Sequence, residues 1–336
     1  MTDAINFIDS IPSFAFTWTT FFIAVIILFL LRYRERLVAF SIKDALRTCI
    51  PFDPVRSQSF HTDLKVYLIR KLTDFIFLIP GIYVLFWVSN GLFSTLSGLD
   101  GTPSSHENSP ALVLGVACVL IVAAEFNAFL WHYLEHKVPF LWELHKVHHS
   151  ADHLNPLTNH RAHSIVQIGK YVMKGFIAGI PTGLIMYFYG FGFIELLAIA
   201  AIANKLLTVA TLDALRHSHV PLRFGLLEGV FISPHMHQIH HSSLEAHWDK
   251  NFGTNLSIFD WMFGTAYRPH KGEVMVNGIY GYSPEQLQAF HSLRGTYWDP
   301  LVRSFECLKR SLKPVSKTAL GFDAKIEGAK NDKAIW

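Results

Sequence analysis

Three short histidine clusters hold the residues of this chain best suited to chemistry: His132-Tyr-Leu-Glu-His136, His145-Lys-Val-His148-His149 and His237-Gln-Ile-His240-His241. On a helix, residues three and four apart share a face with Cβ atoms roughly 5–6 Å apart, so each cluster turns two or three imidazoles toward one point. Imidazole is the commonest protein metal ligand, and this many in three clusters argue for a centre larger than one ion. A single His-x-x-x-His pair on a helix is usually incidental. A His-x-x-His-His triplet is rarer, and two occur here, followed by Ser150 and Ser242 in a weak internal echo. The 19 histidines stand against 29 Lys plus Arg, an excess that favours the metal reading over the incidental one.

The elements that must position these rings are apolar. Of 336 residues, 51% are hydrophobic and 16% charged, where a soluble domain would carry about a quarter charged. The composition indicates an integral membrane protein. A net charge of +3 without a basic, aromatic-interleaved patch gives no reason to expect nucleic acid. Cys49, Cys118 and Cys307 are few, odd in number and unspaced, which supports neither a disulfide framework nor a thiolate metal site.

Residues 1–13 carry Asp3 and Asp9 and no Lys or Arg, the wrong sign for a cleaved signal peptide, so the first apolar run, Phe14 to Leu31, is expected to stay. It is long enough to cross ~30 Å of hydrocarbon. Arg32, Arg34 and Arg36 follow and place that end in the cytoplasm. Ser41 to Lys71 reads as a basic interfacial segment, and a second span is expected from about Asp74 to Phe93 with a kink at Pro80. The loop Ser94 to Pro110 lacks Lys and Arg and should be external. Ala111 to Leu130 forms the third span and runs directly into His132. Glu125 lies two turns before His132 on the same face; a carboxylate inside a span is costly and usually faces the bundle interior, although hydrogen bonding to a neighbour explains it as well. Tyr171 to Tyr189 and Phe193 to Leu212 then make a hairpin that returns the chain to the cytoplasmic side, beside His217 and the third cluster. Asn204 and Lys205 near that end are candidates to line a cavity. Ser283-Pro284 and Asp299-Pro300 read as helix starts, and Leu301, Phe305, Leu308 and Leu312 form an amphipathic stripe for the leaflet or for packing on the domain. Residues after about Lys313 read as a basic tail.

With the clusters in place, the pattern resembles the fatty acid hydroxylase/sterol desaturase superfamily of membrane di-iron enzymes. The family pattern of His-x(3,4)-His followed by two His-x(2,3)-His-His boxes is matched by His132 and His136, by His145, His148 and His149, and by His237, His240 and His241. Asn155-Pro-Leu-Thr158, Arg161-Ala-His163, Ser233-Pro234, Asp249-Lys-Asn-Phe-Gly253 and Trp261-Met-Phe-Gly-Thr265 support it, and the resemblance covers roughly residues 111–268. Many members carry His-x-Asn after the hairpin, where this chain has His217-Ser-His219; the extra ligand role goes to His217, and His219 is an alternate. His235 and His247 flank the third cluster outside the motif, and exposed or supporting roles are expected for them.

The resemblance implies an all-α integral membrane helical bundle with four to five membrane-embedded helices and a cytoplasmic histidine-rich metal-binding cap. Residues 1–110 would form N-terminal spans and an interfacial segment, 111–268 a catalytic domain, and 269–336 a cytoplasmic extension. It also implies two iron ions held by His132, His136, His145, His148, His149, His217, His237, His240 and His241, with O2 as co-substrate. The expected reaction is hydroxylation, or desaturation, of a lipid such as a fatty acyl chain, sterol or ether lipid entering from the bilayer. Since no fused heme-binding or flavin-binding domain is evident, a separate cytoplasmic electron donor of ferredoxin or cytochrome b5 type is expected. Iron itself follows from the family, because imidazole suits Zn, Cu, Fe and Ni alike. Metal-bound imidazoles usually donate their other nitrogen to an acceptor, and Glu135, Glu143, Asp152, Asp213 and Asp249 are candidates.

Two rivals remain. A membrane zinc hydrolase would use His132-x-x-Glu135-His136, with Glu135 activating water, but it leaves both His-x-x-His-His triplets idle. A non-enzymatic metal carrier would spread its ligands along the spans, whereas these gather at one membrane face.

Overall fold

The computed structural model describes residues 13–34, a few positions from 41 to 47, 51–101 and 109–312. Among them the regular structure is helical, apart from isolated bridges between Phe231 and Leu256 and between Ser242 and Asn277. The helices that position the site are α1 (Ser13–Arg34), α2 (Gln58–Asp100), α3 (Pro110–Lys137), α4 (Pro139–His149), α5 (Ser164–Tyr189), α6 (Phe193–Ala210), α7 (Pro234–His240), α8 (Ile258–Phe263), α9 (Pro284–Gln288) and α10 (Asp299–Leu312). Four of them, α2, α3, α5 and α6, are long and apolar enough to cross a membrane. The loop over 102–108 and the tail from Lys313 lie outside the described residues.

Local signals start and stop these helices. Ser57 caps α2 by accepting from the Phe60 amide at 3.1 Å, and Ser109, followed by Pro110, caps α3 by accepting from Leu112 at 3.2 Å. Gly190, at φ 69°, ends α5, and Glu195 reaches back to the Gly192 amide at 3.3 Å to open α6. Ser283 forms the expected capping box of α9. Asp299, by contrast, is helical at φ −63° and ψ −40° and continues from a π turn over Arg294–Trp298, so Asp299-Pro300 does not begin a helix from a cap.

The segment expected to be interfacial, Ser41 to Lys71, is helical in its later part. From Gln58 onward it is the first part of α2, which has 43 residues and so spans about 64 Å at 1.5 Å per residue, twice the hydrocarbon thickness. Polar contacts hold its first four turns helical: Asp63 is buried, and Arg70 pairs with Asp74 at 3.0 Å. The apolar remainder packs on α5 along Gly175, Gly179 and Gly183, where a Cβ would meet α2 atoms at 2.7 Å, so only hydrogen fits between the backbones. Val116, Leu120, Ile185, Met186, Leu196 and Ile199 join α3, α5 and α6 in one core. Phe21 and Val25 seat α1 on Leu215 and Val220.

The start of α2, the end of α3, the start of α5 and the end of α6 meet at one end of the bundle, where Asn255 bonds both Glu125 and Thr211 and Arg70 reaches the His160 carbonyl. The α10 helix packs on α4 there, Ser304 Oγ donating to the Phe140 carbonyl at 2.8 Å and Arg303 meeting Glu143 at 2.9 Å. That contact uses Pro300, Arg303 and Ser304; Phe305 and Leu312 of the apolar stripe stay exposed.

Candidate metal centre

The nine histidines expected as ligands converge in two groups. Ring nitrogens of His132, His136, His145, His149 and His240 lie within 4.8 Å of one another, as do those of His148, His217, His237 and His241. Helical geometry explains the division. At about 100° per residue, positions i and i+4 differ by only about 40°, while i+3 swings to the other side. His132 and His136, and likewise His145 and His149, therefore share the first group, and His237 and His241 share the second. The intervening His148 and His240 cross over, so α4 gives two rings to the first group and one to the second, and the α7 cluster does the reverse. His217, from the turn after α6, completes the second group, while His219 packs on Phe21 instead.

Backbone contacts decide which nitrogen faces inward in three of the rings. His132 Nδ1 donates to the Phe252 carbonyl at 2.8 Å, His148 Nδ1 to the Arg161 carbonyl at 3.2 Å, and His240 Nδ1 to the Lys250 carbonyl at 2.8 Å. A carbonyl only accepts, so in a neutral ring the proton sits on Nδ1 and Nε2 carries a free lone pair. His145 Nδ1 meets Glu135 at 3.2 Å, and Asp249 stands 3.9 Å from His136 Nδ1. Of the five carboxylates expected to support ligands, Glu135 reaches a ring within hydrogen-bond distance, whereas Asp249 is held by Lys137. Glu143 instead binds Lys146 and Arg303, Asp152 pairs with His291, and Asp213 with Arg216.

The inward nitrogens fit a cation. In the second group His217 Nε2 lies 3.2 Å from His148 Nε2, 3.0 Å from His241 Nε2 and 3.1 Å from His237 Nε2. One proton cannot serve three such contacts, whereas imidazole nitrogens about 2.1 Å from a common ion are about 3.0–3.4 Å apart. In the first group His136 Nε2 and His240 Nε2 are buried with no hydrogen-bond partner, a loss of roughly 1–3 kcal/mol each unless something binds them. Burial pushes His148, His149, His217, His237 and His241 well below the usual histidine range, helped by neighbouring imidazoles and, at His217, by Arg216. His240 is pushed down to about 3, mainly by burial. These six rings are therefore neutral at physiological pH, as metal ligation requires.

A frame of residues that the histidine spacing does not announce holds the carbonyls in place. The loop from Asp249 to Gly253 passes through left-handed backbone at Asp249 and Asn251, both at φ 56°. Asn251 Nδ2 pins it by donating to the Met236 and Tyr267 carbonyls at 2.9 and 3.0 Å. Buried Asp260 accepts from the Phe252 and Gly253 amides at 2.7 and 2.8 Å and from Thr265 Oγ1 at 2.7 Å. Glu125 does not face the histidines; it accepts from the backbone and side chain of Asn255, each at 2.7 Å, and from Leu256 at 3.2 Å. His163 caps α5 and contacts the Tyr297 carbonyl at 2.8 Å. His235 and His247 stay outside both groups but are buried, not exposed, bonded to Gln238 and Glu273.

Three cavities surround this arrangement. A polar one of 340 Å³ reaches His132, His145, His148, His217 and His237. An apolar one of 510 Å³ lies between α2, α3, α5 and α6, with Asn204 but not Lys205 in its wall; Tyr171 lines both. A third, of 370 Å³, touches the remaining first-group rings His136, His149 and His240 beside Trp142, Trp248 and Tyr282.

Residues 117–265 match the fatty acid hydroxylase family. The chain is 32% identical over 161 residues to the ornithine lipid hydroxylase OlsE of Rhizobium tropici, covering 48% of this chain and 44% of that protein. It is 30% identical over 152 residues to a cholesterol 25-hydroxylase-like protein of Danio rerio, covering 41% and 53%, and 25% identical over 182 residues to the alkylglycerol monooxygenase of Xenopus tropicalis, covering 53% and 37%. The chain thus spans about half or less of the length of these relatives. No solved structure matches it at a significant level. The matched segment runs from just before Glu125 to Thr265, and so takes in every converging histidine together with the carbonyls and carboxylates that orient the rings. Over residues 117–265, which carry that centre and its frame, the chain is similar to the fatty acid hydroxylase family.

Proposed function

We propose that this protein is an O2-dependent di-iron membrane oxidoreductase that hydroxylates a lipid. The observation that carries the reading is the convergence of five and four histidine rings in two adjoining groups. One iron would be held by His132, His136, His145, His149 and His240, and the other by His148, His217, His237 and His241. Such a pair would supply the redox-active centre that no side chain provides, with the two electrons and two protons that reduce the second oxygen atom to water coming from a separate donor and solvent. A zinc hydrolase with three ligands would leave six of these histidines without a role, and Glu135, its general base, is engaged with His145.

The chain's own part is to bind, orient and exclude water. The apolar cavity takes a lipid tail from the bilayer, and the polar cavity brings the segment next to it against the histidines. Arg161, Lys250 and Phe252 hold three Nδ1 protons on backbone carbonyls, so those rings neither rotate nor exchange tautomers during turnover. The third cavity reaches His136, His149 and His240 without crossing the lipid cavities, and gives a separate cytoplasmic donor of ferredoxin or cytochrome b5 type its own approach. Lipid extracts of cells with and without the gene, compared by mass spectrometry under air, test this. A lipid gaining one oxygen only when gene and O2 are both present is expected; unchanged extracts would refute the reading.

A further inference from the structure

Two lysines on α5 are unused by the site as described. Lys170 and Lys174 sit one turn apart on the face that also carries Gln167 and Tyr171. Lys170 lines the polar cavity with the histidines, and Lys174 lines the apolar cavity below it. Cations within a membrane span are costly and usually meet a partner. Other cations near the polar cavity have one: Arg70 is closed on Asp74 at 3.0 Å and Arg216 on Asp213 at 3.1 Å. The cavity's carboxylates are also engaged, Glu135 with His145 at 3.2 Å and Asp213 with Arg216. Among the described residues neither lysine ammonium has an ion-pair or hydrogen-bond partner within the protein. Snorkelling would turn Lys170 outward toward the headgroup region; the residue lines the same cavity as His132, His145 and His148.

From this we infer that the lipid bears a compact anionic oxygen group, a carboxylate or a phosphate, and that the Lys170 ammonium binds it at the junction of the two cavities. The inference rests on the lipid reading above and names its substrate class. Tyr171 marks the junction, since it lines both spaces. The tail then lies among Leu78, Leu85 and Leu120, Lys174 adds positive potential one turn deeper, and the carbons beside the anionic group lie against the histidines. A neutral head would cover half-buried Lys170 with no carboxylate in ion-pair contact, which disfavours that complex.

Equilibrium binding to the purified, metal-loaded protein in detergent, without O2 or reductant, tests the inference independently of turnover. Three single-chain probes share one tail: oleate, 1-oleoyl lysophosphatidate and monoolein. At least one anion is expected to bind about tenfold more tightly than monoolein, the worth of one charge-assisted hydrogen bond, and the tighter anion identifies the head. Lys170→Met should bring that preference down to about twofold with metal content and monoolein binding unchanged, and Lys170→Arg should restore it. Equal binding of all three probes by the wild type, or a full preference in Lys170→Met, would overturn the inference. Should Lys170→Met fail to fold, Lys170→Gln serves as the uncharged variant and the wild-type comparison remains decisive. If the wild type shows the preference but no O2-dependent product, the hydroxylase reading fails and the binding site stands.

Discussion

The guanidinium of Arg161 meets the carboxylate of Asp63 at 2.9 Å with neither side chain exposed. Asp63 also accepts from Asn155 at 2.7 Å and Thr158 at 2.8 Å, while Arg161 donates to the Val147 carbonyl at 3.0 Å and to Ser150 Oγ at 3.0 Å. One pair thereby ties the start of α2 to the end of α4, and the same Arg161 presents its carbonyl to His148. Breaking a buried pair from one side leaves an uncompensated charge, at a cost of about 3–5 kcal/mol. Asp63→Ala should lower the thermal midpoint in detergent by about 6–20 °C on that account and lower metal content with it. An unchanged midpoint would show that the pair does not hold the cap to the bundle.

Asp260 acts on the first histidine group through the loop from Asp249 to Gly253. Replacing one of its oxygens with an amide in Asp260→Asn removes an acceptor from the Phe252 and Gly253 amides. The Phe252 and Lys250 carbonyls then no longer fix His132 and His240. Metal affinity of that group should fall about 10–100-fold, as for other residues that orient ligands, while the group of His148, His217, His237 and His241 keeps its ion. Metal titration against a competing chelator should resolve one weakened and one unchanged site.

Acid should destabilise the metal-free protein. The buried rings of His148, His149, His217, His237 and His241 have folded pKa values well below ~6.5, and that of His240 is about 3. Between those values the unfolded chain binds protons that the folded chain does not, so stability present above pH ~6.5 is lost as pH falls toward 3. Asp260 works in the opposite sense, because burial raises it to about 6 and the folded state then takes a proton sooner. Six histidines outweigh one carboxylate, and each net proton corresponds to about 1.4 kcal/mol per pH unit, or about 3–5 °C. Thermal midpoints of metal-free protein should fall accordingly from pH 7 to 5; a flat or rising profile would contradict the buried neutral rings.

Orientation follows from the basic stretch between Arg32 and Lys71 set against the Lys- and Arg-free segment after Phe93. In a background lacking Cys49, Cys118 and Cys307, an impermeant thiol reagent applied to intact cells should label Asp100→Cys and miss Lys271→Cys, both exposed positions. The reverse pattern would place the histidines on the outer side.

The histidines were legible in the sequence because helical spacing survives in the chain's order. Their partition was also implicit there: i and i+4 stay together, and the residue between them crosses over. Glu135 was legible as a ring partner, but the carbonyl partners were not, since Phe252 and Lys250 act through backbone that any residue type supplies. Asn251 stood out only as part of the stretch from Asp249 to Gly253 that carries the resemblance, and Asp260 only as a polar residue of a short helix. Glu125 stood out as a carboxylate inside a span, but its partner Asn255 is 130 positions away, and no periodicity links them. The stripe Gly175, Gly179 and Gly183 was readable as small residues four apart, yet its role depends on which helix lies against it.

The central claim is two irons in two adjoining histidine groups, both needed for turnover. It is tested most directly by iron content per chain, measured after anaerobic reconstitution together with O2-dependent product formation. The wild type should hold two irons. His240→Ala from the first group and His237→Ala from the second should each fall toward one iron, with turnover at background, while His247→Ala, bonded to Glu273 outside both groups, should keep two irons and most activity. A wild type that saturates with a single ion, or a His240→Ala variant that turns over at the wild-type rate, would contradict the account.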